Sequence, residues 1–213
     1  RDLVCGQEST EAKIYFQDKY LGLLELTVPG RHNMSNALGA IAVGHQLGLD
    51  FEIMAQALKN FQGVGRRFQK IGSVNEVQVI DDYAHHPTEI RATLQAARQL
   101  NPKRLWAVFQ PHRYTRTQQL YQEFGRSFQE ADKIILNSIY AASEKPITGV
   151  TAELIVEEIK KRGQEVLYLE DMDEIVEYLA QECRPGDVVL TMGAGNIWTV
   201  GPSLVSKLAG GKN

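Results

Sequence analysis

The stretch Asp81–Glu89, DDYAHHPTE, sets two acids, a tyrosine and two histidines within six residues, directly after the apolar run VQVI. Side chains of these types could capture a metal, move protons or hold a polar substrate, and each use makes its own demand on spacing. Aspartate and histidine are proper metal ligands. Adjacent His85 and His86, however, do not readily aim at one ion, and no second dense His/Asp cluster completes a coordination shell. No metal centre is expected among these residues. A carboxylate such as Asp82 suits a ribose diol, while Tyr83 and His85 suit a small polar substrate and its protons. The stretch also has the marks of a strand-to-helix turn. Pro87 fits a first helical position, Thr88 and Glu89 a first turn, and Asp82 a turn or a cap.

Four more stretches carry chemistry. QPHRYTRT places Arg113 and Arg116 at the start of a helix, so that both guanidiniums can face one carboxylate or phosphate while the helix N-terminus adds partial positive charge. The plainer reading of the pair is a solvated basic surface. GVGRRFQ joins flexible backbone to Arg66 and Arg67 in what reads as a linker between two domains, where an arginine can reach a nucleotide. MGAGNIW offers Gly193 and Gly195 in a strand-to-helix turn, with backbone amides for an anion, though this is only part of a dinucleotide fingerprint. In PGRHNMSNALGAIA, Asn33 and Asn36 stand at a helix start. One of them can cap it, leaving the other and His32 to read the edge of a base. The chain has no G-x-x-x-x-G-K-[ST] loop, so any nucleotide phosphates must be gripped by residues outside it.

Elements must bring these stretches together. Residues 1–29 read as strands, AKIYF and LLELTV, separated by QDKYLG. A helix is expected from Asn33 with Leu38, Ile41, Ala42 and His45 on one face. A second is expected over 51–61 with Ile53, Met54, Ala57, Leu58 and Phe61 inward. Beyond GVGRRF, strands VQVIDD, RLWAVFQ, KIILNS, EVLYLE and DVVLTMG alternate with helices expected over 87–99, 117–130, 151–162, 172–183 and 201–209. The fold class is therefore α/β: a Rossmann-like open, mostly parallel sheet with helices on both faces, preceded by a smaller partial α/β segment. Ligands of such sheets bind beyond the carboxyl ends of the strands. DDYAHHP, QPHRYTR, NSIYAASE and GAGN all fall there, and so converge on one edge.

The totals exclude several classes. At 213 residues, 43% apolar and 23% charged, the chain has room for one large domain or one and part of another. A net charge of −3 gives no general attraction to nucleic acid or anionic lipid. Cys5 and Cys183 stand alone, which fits a reduced cytoplasmic setting, and no stretch has the length of a membrane span. The opening RDLVCG lacks an initiator methionine, so a fragment is expected.

Taken in order, VPGRHNMSNALGAIAV, GVGRRFQ, DDYAHHPTEI, FQPHRYTRT and TMGAGNI resemble the motifs of the Mur ligases of peptidoglycan synthesis, over nearly the whole chain. The resemblance implies three domains in a bacterial cytoplasmic enzyme: an N-terminal UDP-sugar domain, a central ATPase domain and a C-terminal Rossmann-like domain. Residues 1–62 would be the last part of the central domain and 63–213 the complete C-terminal one. It also implies ATP-dependent amide formation between L-alanine and the carboxylate of UDP-N-acetylmuramate through an acyl phosphate. A family member that adds a whole tripeptide is the alternative. His32, Asn33 and Asn36 would lie beside adenine, and Arg67 and Asp82 beside the ribose and adjacent phosphate. Tyr83, His85, His112, Arg113 and Arg116 would form the L-alanine pocket, with Tyr83 and His85 as catalytic candidates and the Gly193–Gly195 loop nearby. ATP and Mg²⁺ serve the whole enzyme. The phosphate loop and Mg²⁺ ligands would belong to the missing domains, leaving the fragment alone inactive. Two readings from other classes stand beside this one. One is a stand-alone nucleotide- or anion-binding module, and the other a metal-dependent hydrolase using His85, His86 and His112.

Overall fold

A computed structural model describes residues 1–6, 9–28, 30–61 and 64–210, with His32 described by its backbone alone. The chain divides into two compact units, Arg1–Val64 and Gly65–Asn213. Gln62 and Gly63, at the boundary expected from the sequence, lie outside the described residues.

In the first unit β1 (Val4–Cys5), β2 (Thr10–Phe16) and β3 (Lys19–Leu26) form an antiparallel sheet in chain order. The link between β2 and β3 is shorter than the expected QDKYLG. Gln17 and Asp18 alone turn the chain, both with positive φ (46° and 63°), as a two-residue hairpin matched to strand twist requires. Helices α1 (Arg31–Gln46) and α2 (Phe51–Lys59) follow, and Asp50 caps α2 by accepting from the Glu52 amide. Their inward faces match the expectation only in part, at Ile41 and Met54. Met34, Ala37 and Ile41 are buried from α1 and Met54 from α2, whereas Leu38, Ala42, Ile53, Ala57 and Phe61 are exposed. Both helices carry apolar residues on more than one face, so periodicity alone could not phase them. The start of α1 also moves. Gly30 is its N-cap, so neither Asn33 nor Asn36 caps it.

The second unit is a six-stranded sheet in the order β4-β5-β9-β6-β7-β8. It comprises β4 (Gln69–Val74), β5 (Val77–Asp82), α3 (Pro87–Arg98), β6 (Leu105–Phe109), α4 (Tyr114–Phe124), β7 (Lys133–Leu136), α5 (Glu153–Lys160), β8 (Val166–Tyr168), α6 (Met172–Glu182), β9 (Val188–Met192) and α7 (Val200–Leu208), with a short 3₁₀ turn at Ile197–Thr199. All neighbours are parallel except β4, which pairs antiparallel with β5 and was not foreseen. All five residues of β6 and all five of β9 are buried, as strands covered on both faces must be. On one face Ala107, Phe109 and Leu190 pack against Ile90 and Leu94 of α3, Phe124 of α4 and Ile155 and Ile159 of α5. On the other, Trp106, Val108 and Val189 meet Ile175 and Leu179 of α6 and Leu204 of α7.

Two details level the functional edge. Met192 stands in register with both Asp82 and Phe109, and Phe109 with Leu136, so four strands end together. At the opposite edge Asp187, 1% exposed, accepts from Arg104 (2.7 Å), the Trp106 indole (3.1 Å) and the Arg184 amide (3.0 Å). Burial pushes the Asp187 carboxyl up, but these donors outweigh it and hold it below the ordinary carboxylate range.

Candidate functional site

The site grows from the ends of β5, β6, β7 and β9. After β5, Asp82 turns the chain: its two carboxylate oxygens accept from the Ala84 and Phe68 amides, both at 2.7 Å. Burial pushes this carboxyl above its ordinary range, against the two amides and the charge of Arg67. Each oxygen keeps a further lone-pair direction for a ligand hydroxyl. His86, not Asp82, is the N-cap of α3. It forms a capping box with Glu89, and Pro87 takes the first helical position. One of the two adjacent histidines is thus explained by helix initiation.

The other points to chemistry. His85 Nδ1 lies 2.9 Å from the Tyr83 carbonyl. A carbonyl only accepts, so Nδ1 carries the hydrogen and Nε2 of the neutral ring keeps its lone pair. His112, after β6, has the opposite arrangement. Its Nδ1 faces the Arg116 guanidinium at 3.3 Å, which only donates, so the hydrogen sits on Nε2. Burial lowers the His112 pKa, and the charges of Arg116 and Arg113, with that of His85 whenever it is protonated, lower it further. The two rings lie 5.8 Å apart. One therefore presents an acceptor and the other a donor.

These rings belong to a longer line. Tyr83 stands edge-on to His85 at 5.2 Å, and Tyr140 stacks on His112 at 5.7 Å and 11°. Arg66 and Arg67 lie over the Tyr83 ring at 5.2 and 5.8 Å. Tyr140 is held by its backbone, since Arg113 N donates to its carbonyl (2.8 Å) and its own amide donates to Pro111 (2.8 Å).

Arg113 is the N-cap of α4, at φ 74°, and Arg116 lies in the first turn, because α4 begins three residues before the expected 117 and ends at Phe124. A non-glycine residue at such φ is a strained conformation, found where surrounding structure over-determines it. The N-terminus of α4 is not left open to an anion. Glu144, from beyond β7, accepts from the Thr115 amide (3.1 Å) and hydroxyl (2.7 Å).

The glycine loop after β9 also departs from the expectation. The Gly193 amide, expected to be free for an anion, donates to the Asp82 carbonyl at 3.2 Å, while the carbonyls of Gly193 and Gly195 accept from Arg66. A Cβ on Gly195 would come within 2.6 Å of the Tyr140 ring, so this position tolerates no side chain as the loop stands. Beneath the loop Gln110, 3% exposed, donates to Asn137 and Asn196 (both 2.9 Å) and accepts from the Ile197 amide (3.2 Å). Asn137 in turn donates to the Leu169 and Glu170 carbonyls, both at 2.8 Å. Gln110, Asn137, Tyr140 and Asn196 line an open cleft of about 450 Å³.

The second unit thus brings Arg67, Asp82, Tyr83, His85, His112, Arg113, Arg116 and the Gly193–Gly195 loop to one edge. His32, Asn33 and Asn36 stand on the first turns of α1 in the first unit, with Asn33 half-buried and Asn36 exposed. Arg66 was expected only beside Arg67, as an arginine that can reach a nucleotide, and Gln110, Asn137, Tyr140, Glu144 and Asn196 only as members of polar stretches at strand ends. The only signal for four of them was that NSIYAASE and GAGN fall after parallel strands. Among the described residues no three His, Cys, Asp or Glu side chains converge as metal ligands, and no helix is long and apolar enough to cross a membrane.

The sequence pattern described as Mur ligase, glutamate ligase domain, matches residues 66–195, the unit that carries this edge. The chain belongs to the Mur ligase family. A UDP-N-acetylmuramate–L-alanine ligase of Desulforamulus reducens is 55% identical over 199 residues, 93% of this chain and 43% of that relative. Among solved Mur ligase structures, the UDP-N-acetylmuramate–alanine ligase MurC of Thermotoga maritima is similar with a TM-score of 0.76 at 30% identity, over 99% of this chain and 45% of that one. A murein peptide ligase of Psychrobacter arcticus gives 0.69 at 26% identity, over 97% of this chain and 43% of that one. The chain spans under half the length of the curated Mur ligase relatives it matches.

Proposed function

We propose that the chain is the amino-acid-binding part of a bacterial cytoplasmic ligase that joins L-alanine to the carboxylate of UDP-N-acetylmuramate at the expense of ATP. The observation that carries this reading is the 55% identity, across 93% of the chain, to a protein of that name. In this reaction the γ-phosphoryl group of ATP passes to the muramoyl carboxylate, giving ADP and an acyl phosphate. The uncharged amine of alanine attacks the carbonyl carbon, its proton leaves to a base, and the carbon–oxygen bond to phosphate breaks.

The residues take roles that suit their geometry. Arg113 and Arg116 hold the alanine carboxylate, helped by the Nε2 hydrogen of His112. His85 Nε2 receives the amine proton, and Tyr83, edge-on to that ring, orients the amine. Asp82 and Arg67 take the ribose and adjacent phosphate of ATP, and His32, Asn33 and Asn36 the adenine. Positioning and electrostatics supply the acceleration, with no covalent intermediate on the protein. Mg²⁺ would offset the negative charge of the ATP phosphates in this transfer. Its ligands, the phosphate loop and the UDP-sugar site would lie in the remainder of a longer polypeptide, of which residues 1–62 are the last part of the central domain.

The full-length polypeptide carrying Arg113→Ala or Arg116→Ala tests the reading. We expect the apparent KM for L-alanine to rise on the order of tenfold or more, with those for ATP and UDP-N-acetylmuramate unchanged. A uniform loss for all three substrates would sink the clamp. A parent enzyme that takes a preformed tripeptide instead of L-alanine would shift the assignment to the peptide-adding member of the family.

A further inference from the structure

We propose that Arg66, which no role above uses, is a positioning residue for this reaction, acting as a three-pronged clamp that fixes the Gly193–Gly195 loop against the end of β5. The proposal rests on the ligase reading for its consequence and on the following geometry for its substance. Arg66 Nε donates to Asp81 Oδ2 at 2.8 Å, one terminal nitrogen to the Gly195 carbonyl at 3.1 Å, and the other to the Gly193 carbonyl. Three acceptors from two strand ends are thus served by one planar group, which the point charge of a lysine cannot imitate.

The backbone of Arg66 is equally constrained. Its φ of 61° lies in the left-handed region, and its conformation is fixed from both sides. The Arg66 amide donates to Gln69 Oε1 (2.8 Å), and its carbonyl accepts from the Tyr83 amide (2.7 Å). Strain of this kind persists only where neighbours over-determine it. The clamp therefore ties three parts of the edge together: the RRF segment, Tyr83 and the glycine loop. Its guanidinium also faces the Tyr83 ring. Gly195 abuts Tyr140 at the far end of the aromatic line, so a loop that shifts moves the ring stacked on His112.

The adjacent acids divide the work accordingly. Asp81, 1% exposed, spends one oxygen on Arg66 and the other on the Thr191 hydroxyl at 2.6 Å. It is locked inside the structure. Asp82, 7% exposed, has only backbone amides as hydrogen-bond donors among the described residues. The competing reading is that Arg66 merely neutralises buried Asp81.

Three variants of the full-length polypeptide separate the two: Arg66→Lys, Arg66→Met and the double variant Arg66→Met/Asp81→Asn. The double variant removes the charge and its counter-charge together, leaving an asparagine oxygen for Thr191. If Arg66 positions the loop, the double variant regains the melting temperature that Arg66→Met loses. Its kcat/KM for L-alanine stays on the order of 10- to 100-fold below the parent, because displaced groups do not realign. Arg66→Lys shows the same rate loss at near-parental melting temperature. Hydrogen exchange at the Gly193–Gly195 peptides is faster in all three. Recovery of rate together with stability in the double variant, or a parental rate in Arg66→Lys, would overturn the proposal. Failure of the parent itself to convert ATP to ADP when L-alanine and UDP-N-acetylmuramate are both present would refute the ligase reading instead. The exchange measurement still judges the clamp in that case: unchanged exchange overturns it and accelerated exchange supports it.

Discussion

His85 and His112 show how much of a site is decided by which nitrogen holds the hydrogen. His85 is set by the Tyr83 carbonyl and His112 by Arg116, and the two rings so acquire complementary faces. The lowered pKa of His112 has a thermodynamic consequence. Its folded form resists protonation, so as pH falls below the ordinary histidine value of 6.5 the unfolded chain takes up the proton first. The stabilisation is complete above that value and is lost as pH falls through the folded one. We expect His112→Asn to flatten the decline of melting temperature on acidification from about pH 7 to about pH 5, relative to the parent chain. An unchanged slope would show that His112 does not titrate in this way. At this scale the sequence was a fair guide to residue types and a poor one to their bonds. Tyr83, His85, Arg113 and Arg116 could be picked out because their types are uncommon together. Arg66 could not be told from Arg67, because its role comes from acceptors in a loop 127 and 129 residues away.

At the scale of elements, strand–helix alternation was legible because each β/α repeat has its own hydrophobic period. β4 was not. QKIGSV has no buried residue and its pairing slips between Lys70 and Gly72, so it carries no clean period of two. Gly72 is small because Val205 of α7 lies against it: a Cβ there would come within 2.9 Å. QPHRYTRT reads as a helix start, yet the expected bound of α4 fell late, at 117, because Arg113, at positive φ, does not advertise a cap as Asp171 does before α6. The glycine loop yields a prediction of its own. Gly195→Ala should cost about 1–3 kcal/mol by overpacking and push Tyr140 off His112, since the added methyl meets both Tyr140 and Gln110. Chemical denaturation reads the first effect and the His112 ring resonances the second. A variant with parental stability and unshifted resonances would mean that the loop gives way freely.

The whole molecule is uneven in its packing. Most of the large apolar side chains more than 40% exposed, Val4, Phe16, Leu23, Val43, Leu47, Ile53 and Val64 among them, belong to the first unit, against Leu100 and Trp198 in the second. The second unit holds two continuous cores, while the first holds one small cluster. Units so differently filled should open separately. We expect thermal unfolding of this chain to show two transitions, the first losing the protection of α1 and α2 in hydrogen exchange. A single transition, with all amides released together, would contradict this.

Strand order also bears on how the protein is made. β9 leaves the ribosome after every other described strand of its sheet, yet it lies between β5 and β6 at the middle. Until it arrives, the nascent chain has two half-sheets, each with a bare apolar edge. The anchors of the glycine loop, Asp81 to Thr191 and Gln110 to Asn196, cannot form earlier either. The reacting edge is therefore completed last. A transcript broken before the codons for Val188–Met192 yields a product with neither a closed sheet nor a site, an open form of the kind that cellular proteases remove.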